Sequence, residues 1–144
     1  MLAGIYGMEG LLLFLAGIED MKKREIRMIY IVAMGLVACL GCFFRQNYNW
    51  YGAIGGVLIG VSMLGISLIS EEQIGRGDGL VIAAIGLFFG VRNTLGMVCF
   101  ASLFMLPIAF VVILMKKEKK KIRLPFLPAL FLGYVVTILV GGLS

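Results

Sequence analysis

A chain of 144 residues that is 61% apolar, with 20 glycines and a mean hydropathy of +1.05, is far too apolar for a soluble domain of its size and reads as one unit built for a lipid bilayer. It contains no histidine, which removes Ser-His and Cys-His catalysis and the commonest zinc chemistry. Three cysteines are too few for a disulfide framework, and the net charge of +5 reports membrane topology rather than nucleic-acid binding, because the basic residues cluster beside apolar runs.

Crossing a hydrocarbon core of about 30 Å takes roughly 20 apolar residues in a helix. The runs 2–18, 26–44, 51–70, 79–91, 94–115 and 124–143 therefore predict an all-α membrane protein, a bundle of six transmembrane helices. The runs are continuous, which argues against the alternating pattern of a barrel. No basic residue precedes the first run and the positive cluster follows it, the reverse of a secretory signal, so it is expected to be a retained helix. Glu9 lies inside that run and is expected to face the bundle interior or a hydrated cleft.

Lys22, Lys23, Arg24 and Arg27 follow the first run, Arg76 precedes the fourth, and Lys116, Lys117, Lys119, Lys120, Lys121 and Arg123 lie between the fifth and sixth. Only Arg45 and Arg92 fall on the other side. This asymmetry places those loops in the cytoplasm and both termini outside; the run 116–123 meets anionic lipid and no nucleic acid. Cys39-Leu40-Gly41-Cys42 is a lone CxxC, read as small packing residues, since a zinc or redox role needs further ligands. The run 79–91 is short, about 20 Å at 1.5 Å per residue, so it must draw Asp78 toward the headgroup level. Pro107, deep in the fifth run, is expected to kink it. Pro125 and Pro128 suit the first turn of the last helix.

Acid/base chemistry is left mainly to carboxylates: Glu9, Glu19, Asp20, Glu25, Glu71, Glu72, Asp78 and Glu118. The only two aspartates stand where the first run ends and the fourth begins, on the same side. Asp78 closes Gly75-Arg76-Gly77-Asp78 and is followed by Gly79, glycines that let backbone approach a neighbour closely. Two carboxylates brought together in reduced dielectric cannot easily both ionise; one holds a proton while the other activates water, the arrangement of an aspartic protease. Each has a plainer reading as well: Asp20 pairing with Arg24 one turn on, Asp78 capping a helix.

The stretch from Ile74 through Gly75-Arg76-Gly77-Asp78-Gly79-Leu80 to Gly90 resembles the GxGD segment of type IV prepilin peptidases. Asp20-Met21-Lys22-Lys23-Arg24-Glu25-Ile26 is similar to the stretch around that family's other catalytic Asp, and Leu124-Pro125-Phe126-Leu127-Pro128 resembles its Pro-Phe-x-Pro element. The resemblance implies a six-helix peptidase whose Asp20 and Asp78 dyad, without metal or cofactor, faces the cytoplasm and cuts the basic leader from prepilins. Its small size is most similar to the peptidases of tight-adherence (Tad) pilus systems. A single peptidase domain over 1–144 is expected, without the zinc-binding N-methyltransferase domain of larger relatives, in the plasma membrane; the oligomeric state is left open.

Arg27 and Leu80 depart from the family pattern, where Pro and Lys are common, which removes support for a charged substrate contact at either place. Phe126 could wedge the last helix against the dyad. Glu19, Glu71 and Glu72 lie where they could attract a basic leader, or are ordinary loop charges. The alternatives are a preflagellin peptidase or other GxGD intramembrane protease and, from another class, a small transporter or assembly subunit in which the aspartates relay ions or cap helices.

Overall fold

The computed structural model describes residues 2–23, 26–69, 76–115 and 124–141. The fold is all-α, with five helical elements: α1 (Leu2–Lys23), α2 (Met28–Phe44), α3 (Trp50–Ile69), α4 (Arg76–Met115) and α5 (Leu127–Gly141). The second opens with a turn in which Tyr30 N–H donates to the Arg27 carbonyl at 3.1 Å. Asn49 caps α3, its side-chain oxygen accepting from Gly52 N–H at 3.2 Å, which satisfies one of the orphan donors of a first turn.

Among the described residues α3 and α4 are long and apolar enough to cross a membrane, while α2 and α5 are apolar but shorter. Large apolar side chains cover the outside: Phe43, Tyr51, Ile69 and Met115 are mostly exposed, a surface that suits lipid and would be a liability in water. Inside, Leu13, Met34, Val81, Ile82, Phe88, Met97 and Leu130 are buried together. Glu9, read from the sequence as facing inward, is 1% exposed.

Where the sequence reading has runs 79–91 and 94–115 joined by a loop, α4 holds two helical stretches between Arg76 and Met115 that meet at Gly90 (φ 76°, ψ 174°), a region open essentially to glycine alone. Contacts on either side give the direction of the chain. Before the break α4 runs antiparallel to α3, Ala83 lying against Gly60, Gly86 against Gly56 and Gly90 against Gly52. Beyond it α4 runs antiparallel to α5, with Met97 and Ala101 against Gly133 and Gly96 against Thr137. Since Tyr134 of α5 meets Phe89, and both lie at the Tyr6 end of α1, the two stretches of α4 run in opposite directions and the chain turns back at one residue. Pro107 lies inside the helix, as read from the sequence, and the reversal of the chain belongs to Gly90, the residue that takes a positive φ.

The α3–α4 contact brings backbones together. A Cβ at Gly56 would run into the Gly86 backbone, and one at Gly60 into Ala83; the pair packs at a distance only glycine allows. This contact fixes where α4 begins, and so where Asp78 sits.

Candidate active site

Asp20 stands one turn before the end of α1, 7% exposed. It lies one turn beyond the buried Ala16, and on an isolated helix its carboxyl would meet lipid or water. Instead α1 packs on the start of α5 at Gly17, whose Cβ position lies in ordinary contact 3.5 Å from the Pro128 nitrogen. That approach brings the Leu127 backbone N–H onto the Asp20 carboxyl. The other oxygen, Oδ2, is buried with no hydrogen-bond partner.

Asp78 is the third residue of α4, ahead of the apolar run that opens at Gly79, and is 4% exposed. The glycines on either side bring its backbone against neighbours. A Cβ at Gly77 would lie 2.7 Å from Ile26 Cδ1, and one at Gly79 would lie 2.7 Å from Leu64 Cγ and 2.9 Å from its backbone nitrogen. Gly77 thus admits the segment between α1 and α2, and Gly79 admits α3.

The charge of Asp20 bears on Asp78. Burial, first, and the charge of Asp20, second, push the Asp78 carboxyl up to about 7. Burial also raises Asp20, but the Leu127 N–H opposes that by bonding the ionised form. The surroundings of the two differ: a backbone N–H bonds the ionised form of Asp20, whereas burial and the charge of Asp20 favour the protonated form of Asp78.

Glu19, beside Asp20, is engaged by its own chain, with oxygen Oε1 3.3 Å from Lys23 Nζ and 2.9 Å from Arg27 Nε. Arg27, a departure from the family pattern in the sequence, thus has a local partner. Pro125 precedes α5 rather than standing in its first turn, whereas Pro128 is its second residue, within the first turn, whose N–H groups have no partner inside the helix. Phe126 is half-buried against the core, and its carbonyl accepts from Leu130 N–H at 2.9 Å. Arg24, Gly75, Glu71 and Glu72 lie outside the described residues, as does the basic run 116–123.

Sequence reasoning does not single out Leu127, Leu64, Ile26 or Gly17. Leu127 acts through its backbone, so residue type gives no sign of it; the one available signal is Pro128, which marks the start of a helix and hence where its first free N–H groups point. Among the described residues no group of three or more carboxylates and thiols converges as metal ligands would.

The model of the type IV leader peptidase family matches residues 10–110, a stretch that takes in Asp20, Asp78 and the packing of α3 on α4. No curated protein and no solved structure matches the chain.

Proposed function

The chain belongs to the type IV leader peptidase family, and on that premise we propose that it is an aspartic endopeptidase that removes the basic leader from prepilin-type substrates, with Asp20 and Asp78 as the reacting pair. The observation that carries this reading is the convergence of the chain's only two aspartates, both nearly inaccessible, with the charge of one felt by the other. Helix caps have no need to meet, and neither N-capping nor a salt bridge calls for two buried carboxyls at one place.

The chemistry follows from the asymmetry. Ionised Asp20, held by the Leu127 N–H, takes a proton from a water molecule as its oxygen attacks the scissile carbonyl. Protonated Asp78 donates a hydrogen bond to the carbonyl oxygen and stabilises the charge developing there. On collapse of the tetrahedral intermediate a proton passes to the leaving nitrogen, and the pair regains one proton and one negative charge. No metal or cofactor enters the step.

The chain reversal at Gly90 supports counting α4 as two crossings, giving six in the plasma membrane. With eleven of the thirteen basic residues on the aspartate side, the active site then faces the cytoplasm and both ends of the chain lie outside. A substrate with a basic leader and an apolar helix would lie with the helix in the bilayer and the leader toward this face. The resemblance to Tad pilus peptidases suggests a Tad-type prepilin as first substrate to test.

Membranes carrying Asp20→Asn or Asp78→Asn, incubated with a prepilin, test the proposal. Cleavage should fall at least a thousandfold in each, with normal membrane insertion. Retained cleavage in either variant would remove that residue from the pair.

A further inference from the structure

At the end of the bundle away from the aspartates, a cavity of about 190 Å³ opens between the α2–α3 connection and the turn at Gly90. From Asp78 to Gly90 the helix rises about 18 Å. Both arginines that the sequence places on this side, Arg45 and Arg92, line the cavity, with Asn47, Tyr48 and Asn49 beside them and, among the described residues, no carboxylate in its wall. One N–H of Arg45 is committed to the Phe88 carbonyl at 3.5 Å, and Tyr48 OH donates to the Leu87 carbonyl. These bonds satisfy carbonyls freed by the break in α4 and hold the rim of the cavity in place. Five N–H donors on each guanidinium leave most of the donor capacity for something else.

Two cations in one concavity without an anion call for an anionic occupant. The surroundings say which kind. Phe43, Trp50 and Tyr51, all largely exposed, form an apolar collar at the same level, with Trp50 edge-on to Tyr48 at 5.0 Å. Aromatic side chains gather at the headgroup level of a bilayer. A charged pocket directly above an acyl-facing surface fits a molecule whose head is anionic and whose tail is apolar. We propose that this cavity binds the phosphodiester headgroup of an anionic phospholipid in the leaflet opposite the aspartates, with Arg45 and Arg92 on the phosphate and the acyl chains against Phe43 and Trp50.

Trp50 is the only tryptophan and adjoins the site, so it reports occupancy locally. The full chain is reconstituted in vesicles of brominated phosphatidylglycerol or brominated phosphatidylcholine, and quenching of Trp50 in mixtures with the unbrominated lipids gives their relative affinity. Each arginine at a charged lipid surface is worth about fivefold, so phosphatidylglycerol should be preferred about thirtyfold. Arg45→Gln and Arg92→Gln should each remove about a fivefold share, and the double variant should bring the two lipids to parity. Arg45→Lys, which keeps the charge, should retain most of the preference, and Lys22→Gln, at the other end of the bundle, should leave it unchanged. Equal affinity for the two lipids in the unaltered chain, or an undiminished preference in Arg92→Gln and the double variant, overturns the proposal. So does loss of the preference on adding excess inorganic phosphate, which would make the cavity a site for the free anion. If Arg45→Gln fails to fold, Arg45→Lys and Arg92→Gln carry the test.

Discussion

Gly79→Ala tests whether Asp78 is placed by the backbone contact next to it. The new Cβ would lie 2.7 Å from Leu64 Cγ, 3.0 Å from Cδ2 and 2.9 Å from the backbone nitrogen of the same residue. A leucine side chain can rotate away, but the nitrogen is fixed within α3. Ordinary contact begins at 3.4 Å, so the start of α4 must retreat from α3 by about 0.5 Å, carrying Asp78 with it. Reacting groups work only when held within about 0.5 Å, and a misplacement of about 1 Å can cost a hundredfold. We therefore expect kcat for prepilin cleavage to fall roughly tenfold, with KM little changed, since substrate docking does not depend on this contact. Alanine gains about 1 kcal/mol of helix propensity over glycine, while overpacking costs about 1–3 kcal/mol, so net stability should drop by no more than about 2 kcal/mol. Kinetics in reconstituted vesicles, with thermal unfolding by circular dichroism, separate the two effects. Gly65→Ala is the control, because nothing lies within 4 Å of its Cβ position; it should keep full activity and gain slightly in stability. Equal kcat in the two variants would refute the argument that this close approach sets the carboxylate.

Three further outcomes are expected. The folded-state value of Asp78, about 7 against an ordinary 3.8, means that its contribution to stability is fully present below pH 3.8 and is lost as pH rises through about 7. Asp78→Asn should remove that loss, so an inactive variant should be more stable than the parent at pH 8 and little different near pH 3.5; a chemical-unfolding series across pH reads this directly. Leu127→Pro removes the N–H that bonds Asp20 while suiting a helix start, and it should shift the acid limb of the pH–rate profile upward; Leu127→Ala, which loses the buried side chain but keeps the N–H, should destabilise by about 2–5 kcal/mol without moving that limb. Gly90→Ala should cost about 2 kcal/mol of stability from its positive φ, read as a lower unfolding midpoint.

The two aspartates are legible in the sequence because they combine rarity with position: the chain has only two, and both stand at the ends of apolar runs on its basic side. Gly77 and Gly79 can be read as places of close approach, yet not what approaches, because Ile26 and Leu64 are ordinary apolar residues until the helices are assembled. The inward position of Glu9 follows from the cost of a charge in an apolar run. A turn near Gly90 is legible because the apolar runs 79–91 and 94–115 part there, but the residue that makes it is not, since one glycine among 20 carries no mark of its φ. The residue type of Leu127 says nothing, since the group that matters is one every residue except proline possesses, and only Pro128 beside it hints that a helix with free N–H groups starts there.

Reversing direction at a single residue leaves the chain no slack there. An inserted amino acid would either swell into the neighbouring cavity or pass into a helix, where each added position rotates the remainder of that helix by about 100° and advances it about 1.5 Å. In the first stretch that would turn the Asp78 side away from Asp20; in the second it would turn Met97 and Ala101 away from Gly133. Length variation should therefore be tolerated in the connection between α2 and α3 far better than at Gly90, even though both lie at the same end of the molecule.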